Sequence, residues 1–393
     1  MSSIIRSLLT VCKKESRDNA RDRRTLMRVF LLGPLLGPVL FAGMMSVMIQ
    51  VIAGSAEEPL KLPVAGAEHA PNLMAFLRAH HTEIQPSSAD PAAAIQTGKV
   101  DVVLKIPASY PADFVAGQPA QLNLVLNAAD QSADKSVRRL KALLTAYSSR
   151  VAGLRLLARG VSPTTIHPIA IVEHDISTPA ARGAVLLGMV PYFCLFAVLI
   201  GGFYLAIDTT AGERERGSLE PLLGTAAPRA GIMLGKLAAT ALFSVASLAI
   251  AVIAFGISIP LMPMSQLGVQ LNFGAWESFW VFLACLPFVA LSAALLTLVA
   301  AFSRSFKEAQ AWLSVVLVVP VLPLIFTAVH PVHPKLWMML IPSLSQDLLI
   351  TGVMKGDPLP AVFLGLSAAS TLVVAAVLAA VTVRLYRRER LIV

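Results

Sequence analysis

Six stretches of about 20 apolar residues constrain this chain more than any other feature. They run from about Val29 to Ala53, Ala184 to Ile207, Leu234 to Ile259, Ser278 to Phe302, Ala311 to Val329 and Ala361 to Val383. At 1.5 Å of rise per residue each is long enough to cross the ~30 Å hydrocarbon core of a bilayer as a helix. Their cores are free of Asp, Glu, Lys and Arg. A content of 56% hydrophobic and 14% charged residues, with a mean hydropathy of +0.72, excludes a soluble globular chain of this length. The first stretch, preceded by positive charge, imitates a secretory signal, but its ~25 apolar residues exceed the ~7–15 of a signal core, so it reads as a retained span. The fold expected is an all-α polytopic membrane protein with six transmembrane helices.

Charge asymmetry orients it. Lys and Arg accumulate in short loops on the cytoplasmic side. Arg6, Lys13, Lys14, Arg17, Arg21, Arg23, Arg24 and Arg28 precede the first span, and Arg384, Arg387, Arg388 and Arg390 follow the last. Arg214, Arg216, Arg229 and Lys236 lie between the second and third, Arg304 and Lys307 between the fourth and fifth, whereas Pro260–Ala275 has no basic residue. Both termini are predicted inside. The net charge of +9 is this cytoplasmic excess and requires no nucleic acid. Cys12, Cys194 and Cys285 have neither the spacing of a zinc ribbon nor a place in the large loop, which weighs against a disulfide framework.

The organisation follows. Residues 1–28 form a cytoplasmic N-terminal piece in which Ile4, Ile5, Leu8, Leu9 and Cys12 recur at helical spacing, as in an amphipathic helix on the membrane face. Residues 29–53 are the first span. Residues 54–182 are predicted to be an inserted extracytoplasmic α+β domain, with strand-like Lys61–Gly66, Val100–Pro107 and Ala120–Leu126 and helical Asn72–His80, Asp90–Gly98 and Asp134–Arg159. Residues 183–383 hold five further spans with a cytoplasmic loop at 208–228, and 384–393 are a basic tail. Pro320 and Pro323 predict a kink in the fifth span, and Leu336–Ile341 is an apolar piece too short to cross.

Little here carries catalytic chemistry. There is no G-x-x-x-x-G-K-[ST] phosphate cradle and no H-E-x-x-H. His80 with His81, and His330 with His333, lack a third ligand for a metal. One stretch stands apart: DTTAGERERGSLEPLL, Asp208–Leu223, packs four alternating charges between apolar runs. On a helix Glu213 meets Arg216 at i+3 and Arg216 meets Glu220 at i+4. Such a piece is either a solvated loop or a short helix shaped for a groove on a soluble partner.

The stretch Ile207–Leu237, IDTTAGERERGSLEPLLGTAAPRAGIMLGKL, resembles the corresponding loop of type-2 ABC exporter permeases, especially their NatB-like sodium-efflux branch. The span before it, the N-terminal KKESRDNARDRRTL (Lys13–Leu26) and VDVVLKIP in the long insertion fit the same pattern. The resemblance implies a multi-pass subunit of the bacterial cytoplasmic (inner) membrane, with no cofactor of its own and no enzymatic activity. ATP and Mg would sit on a separate P-loop ATPase, and a second permease, identical or related, would complete the unit among membrane lipids. It assigns Glu213, Arg214, Glu215, Arg216, Gly217 and Glu220 to ATPase coupling.

For the substrate, sodium is what the branch implies, yet acids occur only at span edges, Asp208 and Glu277. These two, with Tyr204, are the candidates for a substrate path; hydroxyls such as Ser292 and Thr297 are further oxygen donors. Met44, Met45, Met48, Phe193, Phe196, Phe203 and Tyr204 suit a hydrophobic amphiphile (drug, peptide or lipid) equally well. A non-transporting sensor reading ligands through residues 54–182 is the competing class.

Overall fold

The computed structural model describes residues 3–57, 59–88, 90–127, 130, 133–166, 183, 186–264, 273–318, 321–329 and 332–387. Most of the expected return from Pro163 to Ser177, the middle of the Pro260–Ala275 connection, His330 and the last six residues of the basic tail lie outside these. The chain divides into two compact units, one made of Met1–Val51 with Ile176–Val393 and the other of Ile52–Asp175.

The helices in chain order are α1 (Ser3–Arg21), α2 (Leu36–Glu57), α3 (Pro71–Ala79), α4 (Pro91–Gln96), α5 (Tyr110–Val115), α6 (Asp134–Ala158), α7 (Val190–Ile207), α8 (Leu219–Leu223), α9 (Arg229–Ser258), α10 (Ala275–Phe302), α11 (Phe306–Val316), α12 (Leu322–Val329), α13 (Leu344–Lys355) and α14 (Ala361–Arg387). Among the described residues five helical stretches are long and apolar enough to cross a membrane: Val29–Val51, Val190–Glu215, Arg229–Leu261, Ala275–Phe302 and Ala361–Tyr386. The chain is therefore a mostly helical, multi-pass membrane protein. The run expected as a fifth span, Ala311–Val329, differs: it is covered by α11 and α12, of 11 and 8 residues. Each is shorter than the ~20 residues a crossing needs. Pro323 at the second position of α12 fits a helix start there, where its missing N–H has no intrahelical partner to lose.

Small residues set the packing of the first unit. A Cβ on Gly201 of α7 would fall 2.5 Å from the Ser247 side chain and 2.8 Å from the Ser244 backbone of α9. The two helix backbones thus touch, and Ser247 donates to the Ala197 carbonyl across the seam at 2.7 Å. The main apolar core joins Phe41 of α2, Leu195 of α7, Phe255 of α9 and Phe288 of α10. Caps define the ends. Glu277 accepts from the Gly274 amide at 2.8 Å where α10 begins. Ser305 caps α11 by accepting from the Glu308 amide, and the Glu308 carboxylate accepts from the amide of Arg304 just before the cap.

The second unit holds a four-stranded sheet: β1 (Leu60–Ala65), β2 (Thr82–Pro86), β3 (Val102–Lys105) and β4 (Asn123–Leu126), in the order β2-β1-β3-β4. β1 runs parallel to both neighbours, and β4 closes the sheet antiparallel to β3. Leu62 and Leu104 of the strands, Leu73 and Leu77 of α3 and Leu140 of α6 are fully buried in its core. Asp90 starts α4 by accepting from the Ala92 and Ala93 amides at 3.0 and 3.1 Å. The strand β2, TEIQP, went unread because it is polar, proline-ended and at an edge; α5 is too short to show a period.

Candidate functional site: a ring of ionic ties around Glu213–Arg216

Beyond Ile207 the backbone widens into a π-helical turn, Asp208–Gly212, tightens again at Glu213–Glu215 and reverses at Gly217, whose φ of 67° favours glycine. Three of the four charges that follow the wide turn each go to a different helix, and the fourth turns back onto the wide turn itself. Glu213, 6% exposed, is bonded to the ammonium of the fully buried Lys236 of α9, which also donates to the Thr209 carbonyl. Arg214 donates to the carbonyls of Ser303 (2.8 Å) and Ala301 (2.9 Å), the unpaired C-terminal acceptors of α10. Glu215 accepts from the Phe306 amide at 2.7 Å, at the N-terminus of α11 where the helix dipole favours a carboxylate. Arg216 turns back onto Asp208, 2.8 Å to its carboxylate and 3.2 Å to its carbonyl.

The N-terminal helix joins the same cluster. Lys14 lies 3.0 Å from Glu15 and 3.8 Å from Glu213. α1 reaches that position because Gly231 and Gly235 line the face of α9 beneath it: a Cβ on Gly235 would lie 2.7 Å from the Val11 Cβ and 2.8 Å from the Leu8 carbonyl. Burial pushes the Glu15 carboxyl above its ordinary pKa, against the hydrogen bond from Lys14. On Lys14 burial pulls downward, yet its bond to Glu15 and the charges of Glu15, Glu213 and Asp18 hold its ammonium above the usual range.

Of the i+3 pair expected within the segment, Glu213 is bonded to Lys236 and Arg216 to Asp208 rather than to each other. Arg216 takes Asp208 where the helical turn ends at Gly217. Glu220 lies on α8 and its side chain is outside what the structure describes. Gly217 is exposed at the tip. Nor does the structure gather the three substrate-path candidates. Tyr204 packs edge-on against Phe203, Asp208 is engaged by Arg216, and Glu277 caps the far end of α10. From Glu277 to Ala301 beside Arg214 is 24 helical residues, about 36 Å.

Sequence reading missed Lys236 as a site residue, counting it as one more loop charge. Its signal was present: it lies inside the first apolar turns of the third run, where an unpaired ammonium is costly.

Five helices long and apolar enough to cross a membrane, with a charged turn between two of them bonded to the ends of their neighbours, define a polytopic membrane protein. The family can be stated: over residues 28–384 the chain matches, and it belongs to, the ABC-2 family transporter proteins. It is 27% identical over 372 residues to the ABC transporter permease protein NatB of Bacillus subtilis (strain 168), covering 93% of this chain and 94% of that protein. It is thus a membrane permease subunit of an ABC transporter, of the kind that works with a partner ATPase.

Proposed function

We propose that this chain is the permease half of an ATP-driven exporter whose work enters through Asp208–Leu223, with Na+ as the exported ion. The observation that carries the reading is the dispersal of Glu213, Arg214 and Glu215 onto three different helices, α9, α10 and α11, while Arg216 closes the turn on Asp208. A push on this turn reaches α1, α7, α9, α10 and α11 together, which a solvated loop has no need to do. Arg216, Gly217, Ser218 and Pro221 are exposed and form the contact surface for the ATPase, while buried Glu213 and half-buried Arg214 pass its displacement inward. Such a transfer fits rigid-body alternation of access, with ATP and Mg on the partner and a second permease opposite.

The orientation rests on the positive-inside rule. It places both termini and residues 208–228 in the cytoplasm and residues 54–182, the α+β insertion, outside. An even number of crossings then makes α11 and α12 together a broken sixth span. The exposed Trp276 and half-buried Trp280 at the start of α10 suit the outer interface of the bacterial inner membrane. The Na+ assignment is inherited from the NatB-like branch. A specific observation favours a hydrophobic amphiphile, bound for export or sensed: the Ile52–Asp175 unit holds a cavity of about 580 Å³ lined by Phe76, Phe114, Val151 and Leu154.

Proteoliposomes containing the permease and its ATPase decide among these. ATP-driven Na+ movement that stops when the ATPase cannot hydrolyse ATP is the expected result. ATP-driven movement of an amphiphilic dye without Na+ flux replaces the ion by the amphiphile, and ligand binding with no flux of either replaces transport by sensing.

A further inference from the structure

Away from the charged turn, two consecutive residues of α13 clasp two different helices. Gln346, fully buried, donates to Ser367 (3.2 Å) and Thr371 (3.1 Å) of α14, and Ser367 donates to Ser345 at 2.9 Å. Asp347, 6% exposed, reaches instead to α12, where its Oδ2 lies 2.8 Å from the Thr327 hydroxyl. That hydroxyl is also 2.9 Å from the Leu324 carbonyl.

A threonine hydroxyl has one proton and here faces two acceptors. If Asp347 is ionised, that one proton serves one acceptor or is shared weakly between the two. Two occupancies resolve it. Either the carboxyl carries a proton and donates to Thr327 while Thr327 donates to Leu324, or a cation is shared by the three oxygens. We propose that the Asp347 carboxyl, the Thr327 hydroxyl and the Leu324 carbonyl form a binding site for one monovalent cation, a proton in the arrangement described and Na+ in exchange for it. The Na+ arm rests on the exporter reading above; the proton arm does not.

Burial pushes the Asp347 carboxyl up to about 6, against the Thr327 hydrogen bond and the charge of Lys355. Among the described residues α7, α10, α12, α14 and the turn Leu336–Leu340 pack against α13, and Lys355 on α13 itself is the charged group that acts on Asp347. The ligand chemistry is hard oxygen throughout, suited to Na+ or a proton and not to a soft metal. A short helix within a proline-broken run is also where backbone oxygen becomes available to an ion in transporter folds.

The test is difference infrared spectroscopy on the full-length protein in lipid, read at the C=O stretch of a protonated carboxyl while buffer is exchanged over the sample. The expected result is a band present at pH 5, reduced at least tenfold by pH 8, absent in Asp347→Asn, and lowered at pH 6 when Na+ replaces choline. Thr327→Val should keep the pH response and lose the Na+ response. A band indifferent to Asp347→Asn, or unchanged from pH 5 to 8, overturns the site; a pH response with no Na+ response overturns the exchange. No ATPase and no flux are involved, so a failure here and a failure of the exporter reading are separate results.

Discussion

Lys236 is the residue whose loss exposes most about the charged turn. Lys236→Ala leaves Glu213 buried beside Thr209 without its counter-charge, and breaking a buried pair costs roughly 3–5 kcal/mol. A clear drop in the temperature at which detergent-solubilised protein loses its monodisperse elution is the expected outcome, with most of the loss recovered by Lys236→Met combined with Glu213→Gln, which removes both charges. At Asp347 the sign is the reverse of a salt-bridged acid. Its folded pKa of about 6 lies above the ordinary 3.8, so it contributes stability that is complete below pH 4 and lost as the pH rises through 6, on the order of 3 kcal/mol at most. Thermal stability should therefore fall between pH 4 and 7, and Asp347→Asn should flatten that slope. Neither residue was picked out as functional by sequence. A single Lys at the edge of an apolar run looks like a topology signal, and the partner that makes it a site, Glu213, is 23 positions away. Asp347 sits between runs, and only the approach of α12 shows that it is buried.

Helices and turns were more legible, because their signals are local. The amphipathic start, the apolar runs of α7, α9, α10 and α14 and the Asp90 cap could all be read from spacing alone. What spacing does not carry is which small residues mark a contact. Gly235 reads as part of an apolar run and Gly231 as the loop before it, yet they are where α1 seats on α9. Gly235→Leu should displace α1, and protease accessibility of Lys13–Arg24 in sealed inverted membranes should rise severalfold while insertion is unchanged. Gly201→Val should do more harm, since it drives α7 and α9 apart at the Ser244 backbone; loss of folded yield is expected. The fifth run is the instructive case. Hydropathy joins Ala311–Val329 into one run in which the prolines predict a kink; the described residues fall into two short helices, α11 and α12, and on α12 Thr327 meets Asp347.

For the whole molecule the central claim is mechanical: Glu213, Arg214 and Glu215 tie three helices to one turn, and the role proposed for those ties is to let a partner's motion there move the spans. Sequence pointed to Glu213–Glu220 by resemblance and by its compact run of charge, but it paired Glu213 with Arg216 where the structure ties Glu213, Arg214 and Glu215 to other helices. The two pictures predict different mutants. If the charges only kept a loop in water, Arg214→Ala would be silent. The most direct measurement is the number of ions moved per ATP hydrolysed by the reconstituted permease and ATPase, compared between the native chain and Arg214→Ala at matched incorporation. Ties that transmit force predict that Arg214→Ala, freed from the Ser303 and Ala301 carbonyls, still assembles with the ATPase and still permits hydrolysis while transport per ATP falls roughly tenfold, the loss expected for about 1.4 kcal/mol of coupling. An unchanged ratio, with complex and hydrolysis intact, would contradict the account.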